Sequence, residues 1–133
     1  GFIFTTSIPP AIAAGAIESV KHLKISNIER MKQREAVKEL KQKLTETDIP
    51  VISNNSHIIP IVVGDPDLCK KASDILLQKY NIYVQPINYP TVPRGTERLR
   101  VTPTPFHNTK MINYFIDSIE KVWSTLNLRK KIV

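Results

Sequence analysis

An α+β fold, with a small antiparallel or mixed sheet and its helices on one face, is what three features of the sequence predict. Long stretches opening near Pro10 and near Asn108 carry apolar residues at helical spacing, three or four positions apart. Between them lie three short strand-like runs, "HIIPIVVG", "IYVQPIN" and "ERLRV". The chain has 133 residues, the length of one ordinary domain.

The first helix is expected from Pro9 or Pro10 to about Leu44, since proline suits a first helical turn and the stretch holds no later proline. Its length predicts a kink at Ser26 and Asn27. Pro50 closes it, and Val51 and Ile52 are expected to form a short strand. In "HIIPIVVG" both parities are apolar: Ile59, Ile61 and Val63 on one side, Ile58 and Val62 on the other. Such a strand requires cover on two faces. Pro60 cannot donate to a ladder, which puts this strand at a sheet edge or a bulge. Asp65 and Pro66 form a cap and first-turn pair for a helix that ends near Asn81, with a stripe of Leu68, Ala72, Ile75, Leu76 and Tyr80. After the strand "IYVQPIN", prolines 90 and 93 stiffen a loop that leads into a strand from Glu97 to Val101. The last helix is capped by Asn108 or Thr109, and its stripe runs from Met111 and Ile112 to Trp123 and Leu126.

The visible helices suffice to cover one sheet face, so a partner surface is expected on the other. The apolar opening "GFIF" leads us to expect a piece of something longer.

A formal charge of +7 raises the question of nucleic acid. Between residues 18 and 48, however, lysines and arginines alternate with Glu18, Glu29, Glu35, Glu39, Glu46 and Asp48, which describes a solvated mixed-charge helix face. The lone cysteine, Cys69, excludes an internal disulfide and points to a reducing compartment, and it reads as a small buried apolar residue. No apolar run approaches the roughly 18 to 20 residues of a membrane span. His57 and His107 have no carboxylate at motif spacing and are expected to be structural; His22 lies in the mixed-charge helix.

Side chains alternate across a strand, so Leu99 and Val101 are predicted to face the helices while Arg98, Arg100 and Thr102 face the other way. A guanidinium fork there can hold a carboxylate or phosphate through two parallel bonds. Spacing alone leaves open a pair of ordinary surface arginines.

"GFIFTTSIPP", "SHIIPIVVGD", "IYVQPINYPTVPRGTERLRVTPTP" and His107 together resemble the C-terminal part of the α-oxoamine synthases, in order and as far as about Trp123. Within that family, the box "NYPTVPRG" resembles the branch that condenses glycine with succinyl-CoA at the head of haem and tetrapyrrole synthesis. The resemblance implies a fold type I, pyridoxal-phosphate-dependent transferase, homodimeric, with the active site between subunits. It implies that residues 1–48 form a helix leading out of a large domain and that 49–133 form the small C-terminal domain. Arg100 would hold a substrate carboxylate, that of glycine, and Thr91 would touch the acyl part of succinyl-CoA. Thr5 and Thr6 would reach the cofactor phosphate of the other subunit. Arg98 is expected to form a structural ion pair with a carboxylate outside this chain. The lysine that carries the cofactor belongs to a motif upstream of "GFIFTT" in this family, so these residues alone are expected to be inactive.

The implied compartment is the bacterial cytoplasm, or the mitochondrial matrix in a eukaryote. Three other readings remain: an α-oxoamine synthase using another acyl-CoA, a basic nucleic-acid-binding module, and a scaffold domain.

Overall fold

The computed structural model describes residues 7–129. Its elements in chain order are α1 (Pro10–Ile25), α2 (Ile28–Thr45), β1 (Ile59–Val62), α3 (Pro66–Tyr80), β2 (Gln85–Ile87), β3 (Arg98–Val101) and α4 (Thr109–Thr125). The sheet is antiparallel throughout, in the order β1-β3-β2. Ile59 faces Val101 and Ile61 faces Leu99 on one side of it; Pro60 faces Arg100 and Val62 faces Arg98 on the other.

Both prolines of the sheet, Pro60 and Pro86, lie on its edge strands, and the central strand β3 has none. The Pro60 carbonyl points outward and accepts from the Ile52 N–H at 3.0 Å. Its ring nitrogen therefore also faces away from β3, and the missing donor leaves the β1–β3 ladder intact. The expected strand at Val51 and Ile52 reduces to a single bridge, Val51 to Ile61. Pro50 lets its carbonyl accept from Val62, but it offers no N–H to extend the pairing.

Ile59, Ile61, Leu76, Leu99, Ile119 and Val122 are fully buried and form the centre of the core. From α2 the core takes Ala36, Leu40 and Leu44; from α4 it takes Ile112, Phe115, Ile119, Val122 and Trp123. The buried stripe of α3 is Cys69, Ala72, Ser73 and Leu76, with Leu68, Ile75 and Tyr80 at its margins. Its centre thus lies slightly away from the stripe read from the larger apolar side chains. Two small residues explain the shift: Cys69 behaves as a small hydrophobe, and the Ser73 hydroxyl donates to the Val84 carbonyl at 2.6 Å. Asp65 caps α3 by accepting from Leu68 N–H, and Asn81 ends it in the left-handed region at φ 55°.

The expected kink at Ser26 and Asn27 is a complete break between α1 and α2. A dense set of polar contacts fixes this elbow. Glu29 accepts from the Ser26 hydroxyl at 2.8 Å and pairs with His22 Nε2 at 2.9 Å. Arg30 donates to the carbonyls of Leu23 and Ser26. The His22 hydrogen bond, with smaller help from the Glu29 backbone and Ser26, lowers the Glu29 carboxyl to about 2. Helix α1 itself buries no residue, and Ile12, Ile17 and Val20 are exposed along it.

The helices that build the core cover the face of the sheet that carries Leu99; the face with Pro60, Val62, Arg98 and Arg100 stays half-buried or exposed. Leu99→Ala is therefore expected to lower unfolding free energy by about 2–5 kcal/mol, and Val62→Ala on the open face by about 1 kcal/mol or less, in urea titrations of this chain.

Candidate active site

The open face of the sheet brings together the two arginines singled out by the sequence. Arg100 is exposed, and its side chain forms no hydrogen bond or ion pair with any described residue. Its cross-strand neighbours are both uncharged, Pro60 on β1 and Gln85 on β2. Arg98, two residues earlier on the same face, is half-buried and donates from Nε to the Thr96 carbonyl at 2.8 Å. One arginine is thus tied to its own backbone, and the other keeps its fork free.

Arg100 lines a groove of about 900 Å³ together with Gln85, Thr102, His107, Lys110 and Tyr114, among others. Among the described residues, no aspartate or glutamate lines it. His107 Nδ1 accepts from the Thr104 N–H at 2.8 Å and closes the turn before α4, which is the structural role expected of it. His57 is exposed and outside the groove.

Between β2 and β3 runs the loop that carries Thr91. The Asn88 carbonyl accepts from Thr91 N–H at 3.0 Å, and the Asn88 side-chain amide donates to the Pro66 carbonyl at 3.2 Å. Arg94 sits over the Tyr89 ring, 4.9 Å from its centre. Pro93 to Thr96 forms a closed turn with Gly95 at φ 80° in its third position, a conformation for which glycine is suited. Thr91 is exposed at the tip, on a loop whose backbone is pinned at both ends. Thr5 and Thr6 lie outside the described residues.

At the base of this loop is a feature that was not anticipated. Glu97 is only 1% exposed, and neither carboxylate oxygen has a hydrogen-bond partner among the described residues. The buried Asn88 Oδ1 is likewise without a donor. Extending the β2–β3 register one residue beyond Ile87 and Arg98 sets Asn88 opposite Glu97, so two residues with partnerless buried acceptors are cross-strand neighbours. The alternation that sends Leu99 and Val101 inward sends Glu97 inward too; the signal was present in the strand parity. Cys69 lies on the same side, fully buried. Desolvation pushes its thiol up to about 11, the Ile87 backbone opposes this, and the charges of Glu97 and Asp65 add to the rise.

Among the described residues there is no cluster of three or more metal-ligating side chains, and no helix long and apolar enough to cross a membrane.

These features define a small α+β domain that presents an unpaired arginine on the open face of its sheet. The chain belongs to the aminotransferase class I and II family, whose model matches residues 1–119. It is 55% identical over 98% of its length to the mitochondrial 5-aminolevulinate synthase of Schizosaccharomyces pombe, and 50% identical over 99% to the 5-aminolevulinate synthase of Rhizobium meliloti. It spans 24% and 33% of those two proteins, respectively. In fold it is similar to a serine palmitoyltransferase from S. paucimobilis solved with a bound PLP-myriocin aldimine, at a TM-score of 0.84 and 21% identity, over 93% of this chain and 31% of that one.

Glu97→Gln replaces one partnerless buried carboxylate oxygen by an N–H donor, beside the cross-strand Asn88 whose Oδ1 also lacks a donor. It is expected to raise unfolding free energy by about 1–3 kcal/mol at neutral pH, read from the urea midpoint. Cys69 is expected to resist thiol reagents at pH 8 until the chain is denatured. Because its folded value is raised, the stability it confers is complete below the ordinary thiol range and falls as pH rises towards about 11. Cys69→Ala should flatten that fall in alkaline denaturation curves.

Proposed function

We propose that this chain is the small-domain portion of a 5-aminolevulinate synthase, which condenses glycine with succinyl-CoA to give 5-aminolevulinate, CoA and carbon dioxide. The observation that carries this reading is Arg100, a guanidinium with no acidic partner among the described residues, flanked across the sheet by the neutral Pro60 and Gln85. The identity to the two synthases, over nearly the whole chain, supplies the substrates.

Arg100 binds the glycine carboxylate through its fork, orienting the α carbon; each such charge-assisted bond contributes on the order of 1.5–3 kcal/mol when shielded from water. Thr91, on its pinned loop, contacts the acyl portion of succinyl-CoA and helps exclude water. Pyridoxal phosphate, when bound, supplies the electron sink for the carbanion of glycine. The donor chemistry of the open face suits this arrangement, because a cationic site free of carboxylates accepts a substrate anion without displacing a native partner. From this chain, Thr5 and Thr6 are assigned to the cofactor phosphate across a homodimer interface, and the remaining cofactor contacts belong to the rest of the protein.

The open sheet face and the exposed apolar residues of α1 are covered in this reading by the large domain and the second subunit, with residues 1–48 as the connecting helical region and 49–133 as the small domain. Arg98 is a structural residue beside that interface. The compartment is the bacterial cytoplasm, or the mitochondrion for a eukaryotic source like that of the Schizosaccharomyces pombe relative.

In the full-length holoenzyme, Arg100→Leu is expected to lower kcat/KM for glycine at least about 100-fold, the equivalent of two lost charge-assisted bonds. Steady-state assays of 5-aminolevulinate formation check this; wild-type turnover in that variant would refute the reading.

A further inference from the structure

The loop between β2 and β3 consists of two closed turns that are anchored to different parts of the molecule. In the first, the Asn88 carbonyl accepts from the Thr91 N–H at 3.0 Å, and the Asn88 side-chain amide ties the turn to the start of α3 through the Pro66 carbonyl at 3.2 Å. In the second, the Pro93 carbonyl accepts from the Thr96 N–H at 3.1 Å and from the Thr96 hydroxyl at 2.7 Å. This second turn packs on the exit of β1, so closely that a Cβ on Gly64 would stand 3.3 Å from the Gly95 carbonyl oxygen. Among the described residues, no hydrogen bond joins one turn to the other. What spans them is the Arg94 guanidinium, stacked over the Tyr89 ring at 4.9 Å from its centre. Tyr89 is 60% exposed, so core packing does not place its ring. Arg94 is exposed too, and its side chain makes no hydrogen bond or ion pair with any described residue.

We infer that Tyr89 and Arg94 are positioning residues for Thr91, their stack bracing the turn that carries Thr91 against the turn that leads into β3 and Arg100. Val92 alone separates the two turns. Standing before a proline, it is confined to extended conformations, but that region is tens of degrees wide and leaves the first turn free to swing. A contact between the turns removes that freedom. Guanidinium suits the task because it is planar and weakly hydrated and lies flat on an aromatic face, whereas a lysine ammonium is compact and strongly hydrated. The stack needs the face of the ring and not the tyrosine hydroxyl. The inference rests on the assignment of Thr91 to the acyl portion of succinyl-CoA.

The test uses the full-length holoenzyme, with KM and kcat measured for both substrates and the melting temperature recorded for each variant. Tyr89→Leu and Arg94→Leu are each expected to raise the succinyl-CoA KM about threefold, the size of an exposed cation–π contact, with the glycine KM and the melting temperature little changed. The double variant is expected to stay near the same threefold, since either change alone removes the whole contact. Tyr89→Phe keeps the ring and is expected to behave as wild type. An effect of Arg94→Leu without one of Tyr89→Leu would mean that the arginine touches the substrate directly, and would overturn the brace. Independent effects that multiply to about ninefold in the double variant would overturn it as well. If Thr91→Val raises the succinyl-CoA KM while neither leucine variant does, the brace is refuted and the assignment of Thr91 stands. If Thr91→Val leaves that KM unchanged, the assignment falls and this inference falls with it.

Discussion

The strict two-residue alternation of β3 is the constraint on which the rest of the molecule depends. Leu99 is at the centre of the core, with Ile61 opposite it, and this burial fixes the parity of the whole strand. A slip of one residue would expose the leucine and drive two guanidinium groups into an apolar interior, a change no rearrangement of α2, α3 or α4 could offset. The position of Arg100 on the open face is therefore set by hydrophobic packing on the opposite face. Stability and the proposed function share one strand, divided between its two sides.

The same alternation has a cost one residue earlier, where it sends Glu97 inward beside Asn88 with no donor for either acceptor. The backbone there is well used: the Glu97 carbonyl accepts from both Val63 and Gly64 N–H groups and joins the loop after β1 to the start of β3. Main-chain pairing and the burial of Leu99 hold the strand in place while the carboxylate works against it. Local cost of this kind, beside a loop assigned to substrate contact, is compatible with a site in which rigidity is bought from the surrounding core.

The helices and the facing of β3 were legible because they rest on periodicity, which a single sequence displays directly. The edge position of Pro60 could be read because proline constrains its own backbone, whereas a bend at Ser26 and Asn27 followed from the length of the periodic stretch, and its sharpness comes from the His22, Glu29 and Arg30 contacts. Three things were less accessible. The strand at Val51 and Ile52 shrank to one bridge because tertiary pairing, with Pro50 as neighbour, overrode local propensity. The α3 stripe is centred away from its larger apolar residues because Ser73, polar by type, is buried through its bond to the Val84 carbonyl, and the expected burial of Cys69 shifts the centre the same way. Gln85 could not be connected to Arg100 at all, since that neighbourhood exists only once the β2–β3 register is known. The motif resemblance assigned the arginine a role but said nothing of what stands beside it.

The outward-facing carbonyl of Pro60 has a further consequence for colloidal behaviour. Edge strands with free amide and carbonyl rows can recruit the strands of other molecules and seed fibrils. On the β1 side that row is already occupied: Ile52 and Val62 exchange backbone bonds with the two prolines, Pro60 and Pro50, at 3.0 and 2.9 Å, and neither proline has an N–H to offer a newcomer. The connector after α2 thus acts as a seal, and a sheet rich in isoleucine and valine is closed to runaway growth along that border.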